Sequence, residues 1–148
     1  MIGKIGMEIF KNKFPKSNDS NIKITSPITD NYNCISWACG SNSIRIWPNL
    51  RYFQWPEEIP NTEHIDSFVK LFELIGYKIC KNGILENGYE KICLYEKDGV
   101  PQHAARQLHS GLWTSKLGPS YDIEHEERAL CGGDYGDISI HMKRKIKL

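Results

Sequence analysis

Cys34, His103 and Asp122 are the residues whose types and order suit covalent chemistry in this chain. Cys34 lies in "NYNCISWACG", residues 31–40, just after two competent caps, Asp30 and Asn31, and ahead of a short apolar run that closes on Gly40. A thiol attacks as the thiolate, and a helix N-terminus beside an imidazole lowers its pKa. His103 opens a strand directly after the Asp98-Gly99 turn signal, a rigid position from which a ring can face a helix end. A third group must then hold the imidazole in its useful tautomer. Reflecting His103 about the turn at 109–111 sets its cross-strand neighbour near Leu117, within two residues. Ser115 falls inside that register error, and Asp122 lies just past the strand end. Asp122 is preferred, because a carboxylate stabilises an imidazolium whereas a hydroxyl only positions it; His125 and Gln107 stand behind both. Backbone N–H groups at the helix start, with Asn33 or Tyr32, are expected to hold an oxyanion, and Trp37 and Trp113 to contact substrate.

Each residue taken singly has a plainer reading. Free cysteine is among the most buried residue types, a strand histidine is commonly satisfied by a carbonyl, and an aspartate after a strand is commonly a turn or cap. Their joint arrangement favours catalysis.

The elements that must position them follow from spacing. A short helix is expected through Cys34, Ile35, Trp37 and Ala38. Thr62 is expected to cap a second helix, in which Ile65, Phe68, Leu71, Phe72 and Ile75 recur at helical spacing up to Gly76. "YEKICLYE", "QHAARQL" and "LWTSKLG", divided by Asp98-Gly99 and His109-Ser110-Gly111, read as an antiparallel meander. The stretch "PSYDIEHEERALCGGDYG" reads as polar connection, and Ile138, Ile140 and Met142 alternate as a final strand. The expected fold class is α+β, a nucleophile helix and an amphipathic helix on an antiparallel sheet of about four to five strands. Residues 1–29 read as an N-terminal arm, 30–143 as the catalytic-type domain and 144–148 as a basic tail.

The 148 residues, 40% of them hydrophobic, suit a single core. Nineteen basic residues against eighteen acidic leave no broad cationic field, so nucleic acid is not an expected partner. No membrane span or cleavable export signal is read in the chain, and a cytoplasmic location is expected. Five cysteines at irregular spacing suit reduced thiols, and no metal or other cofactor is expected. "IWPNLRYFQWPEEIP" is too proline-broken for regular structure and too aromatic for a free linker. It is expected to pack as a cleft wall, with 47–56 a surface for a protein partner.

The order of a helix-borne cysteine, then strands carrying His and a later polar residue, resembles the papain-like cysteine peptidase superfamily. "NCISWACG" is similar to the nucleophile helix of NlpC/P60 peptidases, and "HAARQLHSGLWTSKLGPSYD" to the His-strand and Asp segment of transglutaminase-like enzymes; CHAP amidases share the order. Over residues 30–143 the chain also resembles a family of uncharacterised bacterial proteins of about 150 residues, on "YNCISWA", "HAARQL", "WTSKLG" and "DIEH". The resemblance implies a papain-like fold, with Cys34 as nucleophile, His103 as base and Asp122 as orienter. It departs from NlpC/P60 around the nucleophile, where Asn33 precedes and Ile35, Ser36 and Trp37 follow. The implied function is a thiol hydrolase or acyltransferase acting on an amide, isopeptide or thioester bond of a peptide, protein or other amide-containing substrate. The alternative is a catalytically silent binding or immunity-type module of the same fold.

Overall fold

Strong local signals build the centre of the sheet. Ile92 and Leu94 alternate with Cys93 and Tyr95, and all four are buried, as befits a strand covered on both faces. The structure, a computed structural model, describes residues 4–147. In chain order it contains α1 (Lys4–Lys13), β1 (Ile22–Ile24), α2 (Cys34–Ala38), α3 (Ile65–Leu74), β2 (Lys78–Cys80), β3 (Tyr89–Lys97), β4 (Val100–Gln107), β5 (Trp113–Lys116), β6 (Asp122–His125), a 3-10 turn (Glu127–Leu130) and β7 (Asp137–Lys145). The strands form a seven-stranded sheet in the order β1-β6-β5-β4-β3-β7-β2, with every neighbouring pair antiparallel.

This architecture corrects the α+β, papain-like expectation: the fold is mainly β, with seven strands where four to five were expected, and the would-be nucleophile helix is five residues long. The physical reason lies in the strands that periodicity missed. β1 and β2 have three residues each, too few to show alternation. The segment "DIEH" is a strand with Asp122, Ile123 and His125 all buried, so its polar residues read as connection. Residues 4–29, read as an arm, supply α1 and the edge strand β1, which pairs with β6. β7 runs as far as Lys145, into the segment read as a tail.

Each face of the sheet has its own core. On one, α2 and α3 lay Ile35, Ala38, Phe68 and Phe72 over Ile92, Leu94, Ala104 and Met142. On the other, α1 and the turn at 127–130 lay Met7 and Leu130, with the nearby Phe14, over Cys93, Tyr95, Ala105 and Ile123. His64, two residues beyond Thr62, caps α3 by accepting from the Asp66 N–H, while Thr62 Oγ1 bonds Ser67 Oγ at 2.9 Å.

Two local features shape the site. The β4–β5 ladder holds only Arg106↔Thr114 and Gln107↔Trp113; beyond it the strands part, and α2 packs against both. The second is the loop "GGDYG", which docks on the end of α1 through the Asp134 N–H to the Lys13 carbonyl at 2.9 Å. Gly136 has φ 70°, and a Cβ there would collide with the Glu96 backbone. Gly136→Ala is therefore expected to cost about 2 kcal/mol and to displace Tyr135, read as a lower denaturant midpoint and altered tyrosine near-ultraviolet dichroism. An unchanged midpoint would refute the close approach.

Candidate functional site

Asn33 caps α2, which puts Cys34 at its first helical position. The Asn33 side chain accepts from the Ser36 N–H at 3.3 Å, and Ser36 Oγ accepts from the Asn33 N–H at 3.0 Å, a reciprocal capping box. Asn33 also accepts from the Ile46 N–H at 3.0 Å and donates to the Ile46 carbonyl at 2.7 Å. Its amide is thus committed to holding α2 against the 46–54 segment, rather than to an incoming oxyanion. The sequence-level caps, Asp30 and Asn31, lie in the approach to the helix.

Cys34 is 7% exposed. Burial pushes its thiol up to about 11, against smaller downward effects from backbone N–H groups at Ala104, Ile35 and Cys34 and from the Lys116 charge. The expected stabilisation of a thiolate by the helix start is outweighed. A five-residue helix aligns few peptide dipoles, whereas desolvation acts on the whole charge.

His103 projects to the other face, opposite Tyr95 in the β3–β4 ladder, and is 1% exposed. Its Nε2 is 2.8 Å from Ser115 Oγ, which is 2.7 Å from His125 Nε2; His125 Nδ1 is 2.7 Å from the Glu126 carbonyl. Tyr135 stacks on the His103 ring with centroids 4.1 Å apart and planes at 6°. Nδ1 of His103 is buried and makes no hydrogen bond, to the thiol or to any other group. Burial depresses the pKa of both imidazoles, that of His125 to about 4.

Asp122 does not hold His103. Its Oδ2 accepts from the Tyr32 hydroxyl at 2.5 Å, it pairs in the β5–β6 ladder with Lys116, and its Oδ1 is buried without a partner. The Lys116 ammonium lies over the Tyr32 ring, 5.2 Å from its centroid. Trp37 Nε1 donates to Thr114 Oγ1 at 3.0 Å, so Thr114 and Lys116 turn to the α2 side while Ser115 turns to the other. Trp113 is buried in the second core, and Gln107 donates to the Gly83 carbonyl at 2.7 Å.

The expected triad is thus split between faces, Cys34 with Tyr32, Lys116 and Asp122 on one, His103 with Ser115 and His125 on the other. Tyr135 and the β4 backbone are what the two groups share. The Cys34 thiol meets the backbone of Ala104, one residue along β4 from His103, and Tyr135 both stacks on His103 and lines the pocket that Cys34 lines. That pocket has a volume of about 420 Å³, with Trp47, Leu50 and Phe53 among its walls. Arg45 also lines it, its guanidinium 4.5 Å from the Phe53 ring centroid. Sequence reasoning missed Tyr135, Lys116 and Arg45. The paired glycines around Tyr135 were the one available signal, as markers of close backbone approach. Among the described residues no group of three or more His, Cys, Asp or Glu side chains is placed to hold a metal ion, and no helix is long and apolar enough to cross a membrane.

Comparison with known proteins gives a family and little chemistry. A family model described as "Domain of unknown function (DUF7689)" matches residues 23–143. Over an alignment spanning 104 positions the chain is 29% identical to part of the alpha-1,2-mannosyltransferase MNN21 of Candida albicans, the match covering 55% of this chain and 16% of that protein. No solved structure matches. Nothing in these matches supports a papain-like relationship.

Proposed function

Starting from a chain that belongs to the DUF7689 family, a domain of unknown function, we propose that it is a thiol hydrolase or acyltransferase that opens an amide, isopeptide or thioester bond. The observation carrying this reading is the unpartnered, buried Nδ1 of His103, one residue along β4 from the backbone that the Cys34 thiol touches at the pocket. At rest the pair is neutral, a thiol and an imidazole, because burial acts against both charged forms. The reaction therefore starts with a proton transfer: as Cys34 Sγ bonds to the carbonyl carbon, its proton passes to His103 Nδ1. The two share no hydrogen bond at rest and lie on opposite faces, so substrate binding has to open the gap between β4 and β5 and bring them within hydrogen-bond reach.

The backbone N–H groups of Cys34 and Ile35, which face the sulfur, are the donors for the oxyanion. Collapse of the tetrahedral intermediate expels the amine or thiol, which takes the proton back from His103, and leaves a thioester on Cys34. Water or an amine then attacks that thioester to regenerate the thiol. Ser115 orients His103 in this scheme, and Asp122 supports the pocket through Tyr32. The apolar walls from Trp47, Leu50 and Phe53 favour an acyl group with an apolar or aromatic side chain.

Incubation with a panel of aryl-acyl thioesters and peptide amides is expected to give turnover, and covalent labelling by a chloroacetamide that carries an aromatic group. Cys34→Ala should abolish both with an unchanged melting temperature. Full activity in Cys34→Ala would eliminate the reading.

One observation favours a second reading, a binding module. The shared stretch is about a sixth of a much longer protein that is named for a different activity. The surface would be the loop at 47–56, where Tyr52 is 78% exposed. Cys34 would then be inert to the acyl probe, and Tyr52→Ala would weaken partner binding without altering the fold.

A further inference from the structure

We propose that His125 is a positioning residue which, through the Ser115 hydroxyl, fixes His103 as its Nε2–H tautomer and leaves His103 Nδ1 as a bare lone pair. The inference follows from counting protons along the buried chain. The Glu126 carbonyl, 2.7 Å from His125 Nδ1, can only accept, so Nδ1 carries the hydrogen. His125 is neutral in its buried site, so its Nε2 is an acceptor. Ser115 Oγ, 2.7 Å away, has a single proton and must donate it there. At its other side, 2.8 Å from His103 Nε2, Ser115 has only lone pairs to offer, so His103 Nε2 carries the hydrogen. His103 Nδ1 is then unprotonated, and it is the nitrogen the fold leaves buried without a partner.

Reversing the chain would leave two lone pairs, on His125 Nε2 and Ser115 Oγ, facing one another with no hydrogen between them. In a site where Ser115 is fully buried, such an unmet pair carries the full desolvation penalty, so the polarity is set from the Glu126 carbonyl inward. The parallel Tyr135 ring, 4.1 Å from that of His103, keeps the imidazole plane in place without competing for either nitrogen. The use of the lone pair as a base rests on the acyl-transfer reading; the tautomer itself does not.

The test is two-bond ¹H–¹⁵N correlation spectroscopy of the histidine rings in the uniformly labelled full chain at pH 7. The expected pattern is Nε2–H for His103 and Nδ1–H for His125. In His125→Phe, where Ser115 is free to donate to His103, the His103 nitrogen shifts should move toward the opposite tautomer. Finding His103 as Nδ1–H in the native protein overturns the proposal, as does an unchanged His103 pattern in a folded His125→Phe variant. The native spectrum decides the matter if that variant fails to fold. Failure of the acyl-transfer reading is separately visible: Cys34→Ala would keep full activity while the native tautomer pattern stood.

Discussion

Between pH 7 and pH 4 the folded protein is expected to lose about 3 kcal/mol of stability through His125 alone, with a further loss through His103. Both rings are buried, and burial lowers their folded pKa below the ordinary 6.5, that of His125 to about 4. The unfolded chain therefore binds protons first as the pH falls. The stability conferred by the neutral rings is complete above about 6.5, declines below it, and for His125 is spent near pH 4. Urea denaturation at pH 7, 6, 5 and 4.5 should show midpoints falling at each step. A midpoint unchanged between pH 7 and 5 would mean that the two imidazoles do not sit neutral in the interior. At the alkaline end the sign reverses for Cys34: its folded pKa is raised, so its contribution is present below the ordinary 9 and is lost as the pH rises toward about 11.

Lys116→Met is the substitution expected to cost the most, about 3–4 kcal/mol. Lys116 is fully buried, and its ammonium donates to the carbonyls of Thr29 at 2.6 Å, Gly118 at 2.7 Å and Ser120 at 2.5 Å. All three of its protons are thereby used; burial lowers its pKa below the ordinary lysine value, and the Asp122 and Asp30 charges offset that only in part. Methionine fills the volume of the stem but leaves three carbonyls and the Asp122 carboxylate without the cation. The loss should appear as a lowered urea midpoint and as faster hydrogen exchange at Leu117 and Ser120, whose N–H groups bond within this loop. A variant as stable as the native chain would show that the ammonium is not the organising group. Gly118 and Pro119 line the Cys34 pocket, so the same variant should also loosen one wall of the candidate site.

Much of the fold's centre is legible in local spacing. The apolar period of α3 and the Asp98-Gly99 turn with φ of 52° and 80° are local and present in the structure; β7 forms too, but a register shift against β3 sends Ile138 to one core and Ile140 and Met142 to the other, so the expected single-faced alternation does not hold. Turn symmetry about residue 110 anticipated the β4–β5 register, with Arg106 opposite Thr114 and Gln107 opposite Trp113. Other features carry no local sign. β6 hides two polar residues inside, β1 and β2 are three residues long, and the cap of α2 depends on an amide shared with Ile46 from a distant loop.

For the candidate site, residue types and order nominated a thiol and an imidazole for nucleophilic chemistry, since the capacity to attack or to take a proton belongs to the side-chain types themselves. Their state and their partners depend on the folded surroundings. Solvent exclusion keeps the Cys34 thiol protonated, the sheet sets Cys34 and His103 on opposite faces, and the Tyr32 hydroxyl rather than His103 engages Asp122. The physical reason is that desolvation and hydrogen-bond partnership are set by atoms remote in the chain, whose arrangement no local pattern records.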